Sequence, residues 1–83
     1  MSMVLQLSMK NMEGALERLL GVVRYRGFQV MGMNAQTNRE GSHLDVRLTV
    51  SGTKSSNLCK QIAKLFDVEN VSVFSDVRNV KIS

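Results

Sequence analysis

Few residues in this chain of 83 could do chemistry, and their spacing suits catalysis poorly. There is one histidine, His43, and one cysteine, Cys59, far apart in sequence. Nucleophilic catalysis needs a nucleophile with a base in reach, and acid–base work needs paired carboxylates or a metal cluster. His43 alternates with the apolar Leu44, Val46, Leu48 and Val50 and so points off the core, as a surface histidine does. Cys59 falls on the apolar stripe of a helical segment, where a thiol acts as a small packing residue. Glu13, Glu17, Asp45, Asp67 and Asp76 show no acid–base spacing, and no Walker-type loop occurs. Catalysis by this chain alone is not expected.

One other stretch raises a chemical question. "NMEGALERLLGVVRYRGFQV" (residues 11–30) opens on polar residues and carries Gly14 where a helix should begin. Glycine inside a helix costs about 1 kcal/mol relative to alanine, so its presence calls for a reason. Two are open: close approach of the backbone to another group, or tight packing where the helix crosses a sheet.

The surrounding elements follow from periodicity. In 3–9, "MVLQLSM", residues Met3, Leu5, Leu7 and Met9 alternate with Val4, Gln6 and Ser8, which predicts a half-buried strand. Leu16, Leu19, Leu20 and Val23 then form one helical stripe, with Glu17, Arg18 and Arg24 pointing away. Asn11 is the candidate N-cap and Gly27 the C-terminal stop. Residues 28–36 predict a second strand, and "TNREGS" (37–42) a turn in which Gly41 takes positive φ. "SHLDVRLTVS" (42–51) is the clearest strand, forming a hairpin with the second. After the polar "SGTKSS" (51–56), a helix capped by Ser55 or Ser56 presents Leu58, Cys59, Ile62, Leu65 and Phe66, with Lys60 and Lys64 outside. "DVEN" (67–70) predicts a turn and "VSVFS" (71–75) a fourth strand. The order β-α-β-β-α-β is the α+β, ferredoxin-like arrangement: a four-stranded antiparallel sheet with two helices on one face.

Length allows one domain, 1–83, with its core over about 3–76 and a tail at 77–83. Apolar residues make up 43%, which is ordinary for a folded globule. A net charge of +4 and a pI near 9.7 permit contact with nucleic acid or an acidic partner without demanding it, because the basic residues are scattered. A single cysteine excludes an internal disulfide and fits a reducing compartment. "MSMVLQLSMK" lacks the pattern of a signal peptide, and no stretch approaches the roughly 20 apolar residues of a membrane span, so the expectation is a soluble, cytoplasmic protein.

Domains of this topology serve several purposes. A metal chaperone needs Cys-x-x-Cys near the first helix, and "SMKNMEG" has none. An RNA-binding domain needs aromatic residues on the open sheet face. The first and third strands offer Gln6, Ser8, His43, Asp45, Arg47 and Thr49 there, so nucleic acid rests on the basic pI alone.

"NMEGALERLLGVVRYRGFQVMGMN" resembles the ACT domain, a βαββαβ small-molecule regulatory module. Asn11, Gly14 and Leu16 match that family's turn into helix one, and Arg26, Gly27 and Phe28 its Arg-Gly-aromatic run. With "LTVSG" and "IAKLFDVENVSV", in which Leu65, Asp67, Val68 and Val71 fit the end of helix two, the chain is similar to the family of small regulatory subunits of acetolactate synthase (acetohydroxyacid synthase). The resemblance covers about residues 3–76.

That resemblance implies a non-catalytic chain that binds and activates a large catalytic subunit in valine, leucine and isoleucine synthesis. Thiamine diphosphate, Mg²⁺ and FAD would reside in the large subunit and no cofactor in this chain. It implies a homodimer with side-by-side sheets through the exposed second strand, and an effector-binding or interface region at Asn11, Met12, Glu13, Gly14, Ala15, Gln29 and Met31. An amino acid carboxylate would dock on the N–H groups around Met12–Gly14, with Asn11 holding the amino group. From the residues themselves, Met31 and Met33, two apart, put adaptable thioethers on one side of the second strand, for a binding surface or for core filling. The length resembles the short form of the second isozyme type. Gln29 stands where feedback-sensitive members usually have asparagine, so weak or absent valine inhibition is expected. A free-standing ACT-type amino-acid sensor is the alternative, and a basic RNA-binding domain a more distant one.

Overall fold

The computed structural model describes residues 2–52 and 58–75. The strands are β1 (Ser2–Lys10), β2 (Gln29–Thr37), β3 (His43–Ser51) and β4 (Val68–Ser75); the helices are α1 (Ala15–Tyr25) and α2 (Leu58–Ala63). They form one antiparallel sheet of order β2-β3-β1-β4. The expected βαββαβ topology is therefore present.

Pairing explains the core. Leu5, Leu7 and Met9 of β1 stand opposite Leu48, Val46 and Leu44 of β3, and the alternation sends all six to one face. There they meet Ala15, Leu19 and Val23 of α1 and Leu58 and Ile62 of α2 in a single buried cluster. Each of these side chains larger than that of Ala15 contributes about 1.5–3 kcal/mol by leaving water. Both helices thus cover one face, and Gln6, Ser8, Asp45 and Arg47 lie on the other.

α1 ends as its sequence predicts. Gly27 has φ 88° and its N–H donates to Arg24 O at 2.9 Å; the Phe28 N–H donates to Val23 O at 3.1 Å. This pair of bonds is the Schellman arrangement, and the buried Phe28 and Val23 supply its usual apolar contact. Gly41 likewise takes its expected positive φ, 77°.

Several expectations need correction. Asn11 does not cap α1: its Nδ2 donates to Gly41 O at 2.9 Å, and Gly14 occupies the cap position without a side-chain hydrogen bond. α2 ends at Ala63, so Phe66 falls beyond the helix and is exposed, with the Lys10 ammonium 4.5 Å from its ring centroid. Cys59 is half-buried rather than a core residue. β4 starts at Val68, absorbing three of the four residues read as a turn, because the register shift between Ser8 and Met9 accommodates Glu69 as an extra residue. A second bulge, between Val30 and Gly32, makes Met31 the extra residue of β2 and interrupts the i, i+2 relation to Met33. Both methionines are exposed. The proposed caps Ser55 and Ser56, Asp76 and the tail 77–83 lie outside the described residues.

Candidate functional site

The turn between β1 and α1 is where the chain departs most from regular structure. The Met12 carbonyl accepts the Ala15 N–H at 3.0 Å, closing a four-residue turn over Met12–Ala15. Gly14, its third residue, has φ 78° and ψ 2°, the values that this position of a type II turn requires. A side chain there would be strained by the backbone alone. A Cβ on Gly14 would also stand 3.0 Å from Nη1 of Arg18, one helical turn on. Gly14 is therefore needed for backbone conformation and for the close approach of Arg18, and packing of α1 against the sheet does not account for it.

The polar groups of this turn divide into engaged and open ones. The Met12 N–H donates to Lys10 O at 3.0 Å, and the Asn11 N–H to Ser42 O at 2.9 Å. Among the described residues, the N–H groups of Glu13, Gly14, Leu16 and Glu17 have no acceptor. Open N–H groups at the start of a helix attract anions, above all carboxylates. Asn11 uses its Nδ2 on Gly41 and leaves its Oδ1 as an acceptor for a cationic or N–H group. Ala15 is buried and anchors the turn; Met12 and Glu13 are exposed.

Arg18 and Asp67 complete this neighbourhood. Arg18 Nε and Nη2 both donate to Asp67 Oδ2, at 2.9 and 2.7 Å, and Nη2 also donates to Glu13 O at 3.2 Å. Asp67 is only 2% exposed, whereas the Arg18 side chain is 50% exposed. The pair neutralises the guanidinium, so the pull on an anion comes from the N–H groups. Asp67 grips the same corner a second way, its backbone carbonyl accepting the Lys10 N–H at 2.8 Å. Sequence reasoning set Arg18 on the solvent side and gave Asp67 to a turn. A usable signal was the position of Arg18 four residues after Gly14, since helical side chains lean back over the preceding turn.

Gln29 and Met31 are not gathered at this turn within one chain. Gln29 pairs with Ser51, and Ser51 with Ser2, at the start of β1; Thr37 pairs with Leu44, and Leu44 with Met9, at its end. Gln29 and Met31 thus lie at the opposite end of the sheet from Gly14. On the open face, Gln6, Asn34, Gln36, Asp45 and Arg47 line a shallow depression of about 230 Å³. Phe74, opposite Val4, supplies one half-exposed aromatic on that face, a feature the first and third strands alone did not reveal. Among the described residues no group of three or more His, Cys, Asp or Glu could hold a metal ion, and no helix is long and apolar enough to cross a membrane.

A glycine-dependent turn into helix one, on this sheet order, defines a class, and comparison with known proteins gives it a name. The chain belongs to the ACT domain family, whose model matches residues 11–71. It is 41% identical over 59 residues to the acetolactate synthase isozyme 2 small subunit of Escherichia coli K12, a match covering 70% of this chain and 68% of that one. The same figures hold for the Shigella flexneri protein of that name. Among solved structures, an ACT domain protein from Streptococcus pneumoniae superposes with a TM-score of 0.75 at 11% identity, covering 100% of this chain and 97% of the other. The ACT domain from GTP pyrophosphokinase of Chlorobium tepidum gives 0.72 at 12%, covering 88% and 96%. At such identities these two speak for the fold alone.

Proposed function

We propose that this chain is the regulatory small subunit of an acetolactate synthase. It binds the large catalytic subunit and raises its activity in the cytoplasmic synthesis of branched-chain amino acids. The observation that carries this reading is the 41% identity to a small subunit over 70% of the chain, beside an ACT domain match that spans the Gly14 turn. Activation requires that the small subunit bind the active conformation of its partner better than the inactive one. The chemistry, with thiamine diphosphate, Mg²⁺ and FAD, belongs to the large subunit; the whole chain, 1–83, serves as one ACT-type unit.

The division of the candidate residues between two ends of the sheet supports a homodimer. β2 is an edge strand with mostly exposed residues, and α1 packs nearer to it than α2 does. Two copies joined along β2 by a two-fold axis must run antiparallel. The Gln29–Met31 end of one copy then lies beside the Thr37 end, and hence the Gly14 turn, of its partner. An α-amino acid placed there would set its carboxylate on the N–H groups of Glu13 and Gly14, and its ammonium near Asn11 Oδ1. Gln29, longer by one methylene than the asparagine of feedback-sensitive members, weakens that site toward valine.

The test is to add the purified chain at increasing ratio to an acetolactate synthase large subunit from the same source, with and without valine. A saturable rise in rate that valine leaves unchanged is expected. A rise that valine abolishes would show a working effector site despite Gln29. No rise, together with thermal stabilisation of this chain by an amino acid alone, would favour a free-standing sensor.

A further inference from the structure

The guanidinium of Arg18 holds two segments at once. Its Nε and Nη2 meet one oxygen of Asp67, a carboxylate almost wholly buried where α2 hands over to β4, and Nη2 also meets the Glu13 carbonyl inside the β1–α1 turn. Asp67 is fixed independently, because its backbone carbonyl accepts from Lys10 at the end of β1. The Glu13 carbonyl belongs to the Glu13–Gly14 peptide, whose N–H is one of the open donors of the turn. A contact on that carbonyl sets the plane of the peptide, and with it the direction of the N–H. Asp67 Oδ1 is buried without a partner among the described residues, so the carboxylate depends on the guanidinium for the hydrogen bonds it has.

We propose that Arg18 is a positioning residue of the Met12–Gly14 turn, aiming its N–H groups from an anchor on buried Asp67 and so tuning what the turn binds. This rests on the small-subunit reading and on the interface reading of that turn, in which its open N–H groups meet the large subunit. Arg18 need not touch the bound group itself. Its guanidinium is required because one planar fork must reach a carboxylate and a carbonyl together; a lysine ammonium can hold Asp67 but does not span to Glu13 in the same pose.

The test combines amide hydrogen exchange with the activation assay, on wild type, Arg18→Met and Arg18→Lys. The Ala15 and Arg18 amides report the turn, since they donate to Met12 O and Gly14 O; the Gly27 and Phe28 amides at the far end of α1 are the internal control. Positioning predicts that Arg18→Met speeds exchange at Ala15 and Arg18 about tenfold more than at Gly27 and Phe28, the scale of one lost charge-assisted hydrogen bond. It also predicts that the ratio of chain to large subunit at half-maximal activation rises, with the maximal rate unchanged and Arg18→Lys intermediate. Uniform acceleration at all four amides in both variants would overturn the proposal and leave Arg18 a stability residue. Selective loosening of the turn with an unchanged half-maximal ratio would overturn its link to binding. If wild type fails to activate, the small-subunit reading falls while the exchange comparison still decides whether Arg18 positions the turn.

Discussion

Gly14→Ala is the perturbation whose size can be worked out most fully. Alanine in the left-handed region costs about 1–2 kcal/mol. Restricting the unfolded chain returns about 0.4–1 kcal/mol of that. The new Cβ stands 3.0 Å from Arg18 Nη1, so the guanidinium must shift. Moving it weakens charge-assisted bonds worth about 1.5–3 kcal/mol, discounted to about 1 kcal/mol because Arg18 is half exposed. The net loss is about 1–2.5 kcal/mol, or about 5–15 °C in Tm for a domain of this size. Calorimetry should be run on three variants together. Gly27→Ala also sits at positive φ, 88°, but its Cβ meets nothing within 4 Å, so it should show the backbone cost alone. Gly21→Ala lies inside α1 with open space around it and should stabilise by about 0.5–1 kcal/mol. The expected order of stability is Gly21→Ala, wild type, Gly27→Ala, Gly14→Ala. A Gly14→Ala protein as stable as Gly27→Ala would refute a cost at the Arg18 contact, and one as stable as Gly21→Ala would refute the turn itself.

Other sites give simpler expectations. A Cβ on Gly52 would fall 2.6 Å from Cδ2 of the buried Phe28 ring, so Gly52→Ala should lower stability in urea unfolding by about 1–3 kcal/mol through overpacking. Leu48, fully buried on β3 opposite Leu5, should cost about 2–5 kcal/mol as Leu48→Ala in the same assay. His43 Nε2 lies 3.3 Å from Glu69 Oε2, with both side chains more than a third exposed. His43→Ala should therefore change stability by less than about 0.5 kcal/mol, and a larger loss would mean the histidine does more than sit on the surface.

β1, β3 and the C-terminal end of α1 were legible because each rests on a local rule. Alternation in β1 and β3 named the core face, and Arg26-Gly27-Phe28 named a Schellman stop. Gly14 was recognisable as an anomaly, but its cause was not, since the cause combines a turn type with a side chain four residues on. Asn11 looked like a cap because its type suits one; in the fold its amide is taken by Gly41, thirty residues away. Phe66 followed the stripe of α2 in sequence yet fell outside, because the helix stops at Ala63 and periodicity does not mark that end. The two bulges, at Met31 and Glu69, were invisible for a related reason: a register slip depends on the partner strand. Asp67 matched the family's end of helix two, yet its burial went unseen, as a single carboxylate in "LFDVENV" gives no local sign that it will be buried against Arg18.

The central claim is that this chain assembles with an acetolactate synthase large subunit. Sedimentation velocity of the large subunit, alone and mixed with this chain, tests it most directly. The account predicts a faster boundary that takes up this chain at a fixed ratio and saturates. Two boundaries that sediment independently at every ratio would contradict it.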